Sequence, residues 1–117
     1  FLKYSEFGEY PAFCSDLKSK GKFKDTMIMT FSEFGRRVDE NASMGTDHGT
    51  ANNVYLISGG LKQGGMINDM ADLANLQDGD LIHQVDFRSV YSTLLNKWLN
   101  VDAQKILNGS YPMLDCL

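Results

Sequence analysis

Two short clusters carry the side chains best suited to chemistry. The first is Ser32-Glu33-Phe34-Gly35-Arg36-Arg37 and the second is Gly45-Thr46-Asp47-His48-Gly49-Thr50. An Asp-His pair between glycines offers a carboxylate oxygen and an imidazole nitrogen, both good ligands for zinc or manganese. Glu33 adds a third oxygen ligand or a general base, and Arg36 can hold an oxyanion through a bidentate fork. Blander roles stand beside each of these. Asp47 can simply orient His48 on a surface loop, and Arg36 and Arg37 can pair with Asp39 and Glu40, which as exposed pairs add little stability. Ser32 lacks the G-x-S-x-G elbow of an activated serine nucleophile. His83, isolated between Ile82 and Gln84, reads as structural or solvent-facing. Asp86 reads as a helix cap and Arg88 as a helix-face or anchoring residue.

The elements that must position these clusters are legible in outline. Tyr10, Phe13, Cys14 and Leu17 recur at helical spacing, with Pro11 suited to a first turn and Gly21 to a stop, which predicts a helix over 9–19. The lysines that follow, Lys18, Lys20, Lys22 and Lys24, read as a solvated face. Residues 26–31 are short, apolar and β-favouring, and 54–58 form a second such run ending in Gly59-Gly60. Between them the apolar pattern collapses, so 32–53 reads as a long functional loop bracketed by two buried strands. Parallel buried strands connected in this way are where open α/β sheets place their sites. Residues 61–84 yield no element, only turn signals at Gly64-Gly65 and Asp78-Gly79. Phe87, Val90, Tyr91, Leu94, Leu95, Trp98 and Leu99 then mark the strongest helix, with Asp86 as its N-cap and this face as core. A short helix over 102–108 follows, capped by Asp102 and stopped by Gly109.

Composition bounds the function classes. With 117 residues, 43% of them apolar, the chain is long enough to bury a core and is too hydrophobic for intrinsic disorder. Eleven Lys and Arg against fifteen Asp and Glu give a net charge of −4, which argues against nucleic acid and anionic membranes as partners. No run approaches the ~18 apolar residues of a membrane span. Cys14 and Cys116 match no zinc or redox spacing and read as structural.

Taken together, the motifs resemble a known family. S-E-F-G-R-R at 32–37, E-N-x-S-x-G-T-D-H-G-T at 40–50, an apolar strand ending in Gly59-Gly60, Val85-Asp86-Phe87-Arg88-Ser89-Val90-Tyr91 and Ile106-Leu107-Asn108-Gly109-Ser110-Tyr111 are similar to bacterial proteins grouped as domain of unknown function 1501. That family resembles the sulfatases and the wider alkaline phosphatase superfamily. The resemblance implies an α/β fold, a partial sandwich corresponding to the C-terminal part of a mixed, mostly parallel sheet with flanking helices. It also implies metal-dependent hydrolysis of phosphate or sulfate esters, a divalent metal (zinc, manganese or calcium), a small anionic ester as substrate and export to the periplasm. Members are several times longer and usually begin with an export signal, whereas this chain begins at Phe1. We therefore expect a C-terminal piece of one larger domain, one that needs the remaining part or self-association to cover its strands.

Two alignments with the superfamily are open. Either Asp47-His48 stands for its metal-binding Asp-His pair, or Glu33 takes that pair's place after its strand and His48 stands for a later metal-binding His. The second follows the chain order, and it sets Phe34 where the superfamily has a histidine. If a metal is bound, Glu33, Asp47 and His48 are the implied ligand candidates, with Glu33 and Arg36 as the catalytic ones. A non-catalytic descendant that binds a glycan, lipid or protein is the competing expectation, because fold analogy does not establish function.

Overall fold

The computed structural model describes residues 10–117, which divide into two compact units. The first contains the described residues up to Thr30 together with Tyr55–Leu61. Its helix α1 (Tyr10–Ser19) carries Pro11 in the first turn, where a missing N–H costs nothing. The start expected at Glu9 lies outside the described residues. Gly21, at φ +66°, ends the helix: its N–H donates to the Lys18 carbonyl (3.1 Å), and the Lys22 N–H donates to the Leu17 carbonyl (2.8 Å). This paired closure needs a left-handed residue, which glycine supplies without steric cost. Of the four spaced apolar positions only Cys14 is buried, and Tyr10 and Phe13 are exposed.

After a single 3-10 turn (Phe23–Asp25), β1 (Ile28–Thr30) pairs with a strand we label β4 (Tyr55–Ile57) in the register Ile28↔Ile57, Met29↔Leu56 and Thr30↔Tyr55. The pairing is antiparallel, which corrects the expectation of parallel strands. Parallel strands need cover on both faces. Here β1 is only half-buried and Tyr55 is exposed, so the run of apolar residues overstated the burial.

The second unit comprises Phe31–Val54 and Lys62–Leu117. Residues 32–53, expected as a structureless loop, contain an antiparallel hairpin of β2 (Gly35–Glu40) and β3 (Thr46–Gly49). The hairpin escapes an apolar-pattern reading because only Gly35 is buried in β2. Polar side chains on both faces leave no alternation to detect. A second hairpin, β5 (Leu76–Gln77) and β6 (Asp80–Leu81), turns at Asp78-Gly79, both with positive φ (53° and 84°). That is the two-residue mirror-image turn Asp-Gly favours.

Helix α2 (Phe87–Thr93) starts at Asp86, whose side chain accepts from the Arg88 backbone N–H at 2.8 Å. It continues into one wide π turn (Leu94–Trp98), where the Leu99 N–H reaches back five residues to the Leu94 carbonyl at 2.9 Å. Such a turn breaks the 3.6-residue phase. The expected core stripe is accordingly only partly realised: Val90 is buried, but Phe87 and Leu99 are 61% and 59% exposed. Helix α3 (Ala103–Leu107) begins at Asp102 and ends on Asn108 in the left-handed conformation (φ 51°). The stop therefore falls on Asn108, one residue before the glycine expected to supply it.

The buried centre of this unit is small and polar. Ser89, Val90, Ser92, Thr93, Ala103 and Cys116 form it. The Thr93 hydroxyl is fully buried, donating to the Ser89 carbonyl (2.7 Å) and accepting from the Leu114 N–H (2.8 Å). Buried polar groups persist only when satisfied in this way, and this one fastens the carboxyl-terminal tail to α2. The described residues are thus a mixture of helices and short strands in which every strand pair is antiparallel. None of their helices is long and apolar enough to cross a membrane.

Candidate functional site

The β2–β3 hairpin brings several of the chemically interesting residues together. Its turn is organised by Asn41, whose Oδ1 accepts from the Ser43 and Gly45 N–H groups at 3.0 and 3.1 Å. The Asn41 N–H closes the loop onto the Gly45 carbonyl at 2.8 Å, with Met44 at φ 58°. Asn suits this role because its short amide mimics a backbone turn. At the other end, a Cβ on Gly35 would lie 1.5 Å from the Ala51 carbonyl oxygen, so no larger residue fits there.

Within the hairpin, Arg36 pairs directly with His48, and Glu40 with Thr46, across an irregular register. Residues paired across strands share a face, and neighbours along a strand alternate. Arg36, Glu40, Thr46 and His48 therefore lie on one face, while Arg37 and Asp47 belong to the other. The Arg36 Nη1 donates to the Thr46 carbonyl at 2.9 Å, which fixes one edge of the guanidinium and leaves its remaining N–H groups for an acceptor. His48 stacks on Phe34 with ring centroids 3.8 Å apart and planes 13° from parallel, and the Arg36 guanidinium lies 5.4 Å from the same phenyl ring. The result is a platform of exposed guanidinium and imidazole on a half-buried phenyl ring.

Asp47 does not join that platform. Its Oδ1 accepts from the Asn41 amide at 3.0 Å, so it braces the turn. Glu33 is exposed just before β2, beside Ser32, whose hydroxyl accepts from the Phe34 N–H at 3.4 Å. Among the described residues, no three His, Cys, Asp or Glu side chains are grouped to hold a metal ion. Strand alternation gives the reason for Asp47 and His48: adjacent residues face opposite ways. The residues present therefore do not by themselves fit the divalent site that the resemblance implied.

Arg37 pairs with neither Asp39 nor Glu40. Its Nε lies 3.5 Å from Oδ1 of Asp80, a carboxylate that is 17% exposed. Gly49 makes room, since a Cβ there would fall 2.9 Å from that oxygen and 2.8 Å from the Arg36 carbonyl carbon. The Thr50 hydroxyl adds a 3.4 Å bond to the Leu81 carbonyl, so β6 is held against the hairpin. Local sequence offered no sign of the Arg37–Asp80 pair, whereas the Asn-x-Ser-x-Gly run at 41–45 did carry a signal for the turn.

Arg88 and Asp86 form a second charged cluster. Arg88 grips both Asp86 oxygens and donates through Nη1 to the Tyr111 hydroxyl at 3.0 Å. These hydrogen bonds from Arg88 lower the Asp86 carboxyl from 3.8 to about 2 and push the Arg88 guanidinium upward in turn. Both residues anchor the start of α2 to Tyr111, the roles expected of them, and His83 is exposed.

Fold and site together define a mixed α/β protein whose hairpin sets a guanidinium beside two aromatic rings. The chain belongs to the family described as protein of unknown function (DUF1501), whose model matches residues 10–109. No curated protein and no solved structure matches it.

Proposed function

We propose that the β2–β3 hairpin binds the acid group of a small phosphate or sulfate ester, as part of an alkaline phosphatase-like, sulfatase-like protein. The observation that carries this reading is the direct pairing of Arg36 with His48 on one exposed face. The guanidinium offers charge-assisted hydrogen bonds to a tetrahedral oxyanion. The imidazole adds an N–H donor whose plane is held by the stack on Phe34. Glu33, exposed just before the hairpin, serves as the base that takes a proton from an attacking water. Glu33, Asp47 and His48 are not grouped as metal ligands. The periplasmic setting of the resemblance accompanies this reading, and fractionation of producing cells checks it.

The test is calorimetric titration with 4-nitrophenyl phosphate and 4-nitrophenyl sulfate, run beside release of 4-nitrophenol. Arg36→Ala should weaken binding by about ten- to a hundredfold, the loss expected when a hydrogen bond to a charged group is removed. Glu33→Gln should retain binding and lose turnover. Binding unchanged in Arg36→Ala would sink the proposal.

A second reading, ligand binding without hydrolysis, is favoured by Phe34: its ring covers one face of His48 and occupies the place where the resemblance sets a metal-binding histidine. Tight binding with no nitrophenol released, with zinc, manganese or calcium added, would select this reading.

A further inference from the structure

We propose that the hairpin selects tetrahedral monoanions, namely sulfate monoesters and phosphodiesters, over the dianions of phosphate monoesters. The proposal rests on the anion-binding reading of Arg36 and His48 and follows from where each charge of the hairpin is spent. Two adjacent arginines suggest a doubly cationic site, yet alternation places them on opposite faces. Arg37 is occupied on its own face, with Nε 3.5 Å from a largely buried Asp80 oxygen. Gly49 and Gly79 keep that pocket open: a Cβ on Gly49 would crowd Asp80 Oδ1 at 2.9 Å, and one on Gly79 would lie 3.4 Å from Arg37 Nη1. One guanidinium, Arg36, is left for the ligand.

The same face carries a carboxylate. Glu40 pairs with Thr46, two residues from His48, so it shares the side of Arg36. One formal positive and one formal negative charge nearly cancel on this face, and the exposed Glu33 adds a further negative charge nearby. A ligand's first negative charge is met by the Arg36 fork. A second finds no second cation, is repelled by Glu40 and still loses its hydration. Phosphate monoesters acquire that second charge above a pKa of about 6, whereas sulfate monoesters and phosphodiesters remain monoanions.

Calorimetric titration of the full 117-residue chain at pH 8 and low salt decides the matter. The ligands are 4-nitrophenyl sulfate, methyl 4-nitrophenyl phosphate and 4-nitrophenyl phosphate. The monoanions should bind at least about threefold more tightly than the dianion, and Glu40→Gln should narrow the gap by strengthening the dianion more than the monoanions. Glu40 is exposed, so this substitution leaves the hairpin's packing intact. Binding of only the sulfate, or of only the diester, would identify the source of the monoanion and uphold the charge rule. Arg36-dependent binding in which the dianion is equal or tighter, or a gap unchanged by Glu40→Gln, would overturn this proposal and leave the anion-binding reading standing. Binding indifferent to Arg36→Ala, or no binding of any ester, would overturn both.

Discussion

Single residues in this chain carry consequences that their exposure would not suggest. Asp86 is the clearest case, because its carboxyl is held near 2 by the Arg88 guanidinium and backbone N–H. A carboxyl depressed in the folded state adds stability above its unfolded value of 3.8 and surrenders it as pH falls toward 2. Thermal unfolding of wild type and Asp86→Asn should therefore differ above pH 4 and converge as pH drops through that window. Asn preserves the cap, so the comparison isolates the charge. Gly35 makes the opposite point about size. A methyl group 1.5 Å from the Ala51 carbonyl oxygen cannot be accommodated without moving backbone. Gly35→Ala should cost about 3 kcal/mol in a denaturant titration, the upper end for overpacking. The Asp86 cap was legible because capping is local. The demand on Gly35 was not, because the atom it avoids lies 16 residues away in the chain.

At the scale of elements, local chemistry proved more informative than apolar patterning. Asp78-Gly79 announced a turn, though not the hairpin around it, and both residues adopt the positive φ that a two-residue turn requires. Gly21 closed α1 as expected. Patterning misled at the β2–β3 hairpin, whose faces are too polar to alternate, and along α2, where the π turn rephases the apolar stripe. The candidate site was legible to the same degree: Arg36 and His48 do meet, but Asp47 is turned to Asn41 by strand alternation. Asn41 is accordingly the residue on which the hairpin's turn depends. Asn41→Ala should destabilise it by about 1 kcal/mol, the scale of a lost side-chain cap. Amide exchange should register this as faster exchange at Ser43 and Gly45, with α2 unaffected. Thr93 plays the comparable part for the tail. Thr93→Val keeps the shape and leaves the Leu114 N–H unpaired, which should cost about 1–3 kcal/mol in chemical denaturation.

For the molecule as a whole, the decisive feature is how little apolar surface each unit closes over. Only Cys14, Val90, Ala103 and Cys116 are buried hydrophobic residues among those described, while Met66, Ile67, Met70 and Leu73 follow one another exposed. Contiguous exposed apolar surface marks a site of association. The 117-residue chain should bind a hydrophobic dye and self-associate in light scattering at micromolar concentration; a monomer with one sharp unfolding transition would contradict this. Its tail is nevertheless well tethered, by Leu114 to Thr93, by the Lys62 N–H to the Cys116 carbonyl (3.0 Å) and by Lys97 Nζ to the Leu117 carbonyl (3.0 Å). Burial pushes the Cys116 thiol upward, and only the thiolate reacts with alkylating reagents. Cys116 is thus a clock wound by the tail: in a Cys14→Ser background, its alkylation by iodoacetamide can proceed only as fast as the tail lifts. Thr93→Val should make that clock run faster, turning a silent buried sulfur into a timer of the opening that precedes unfolding.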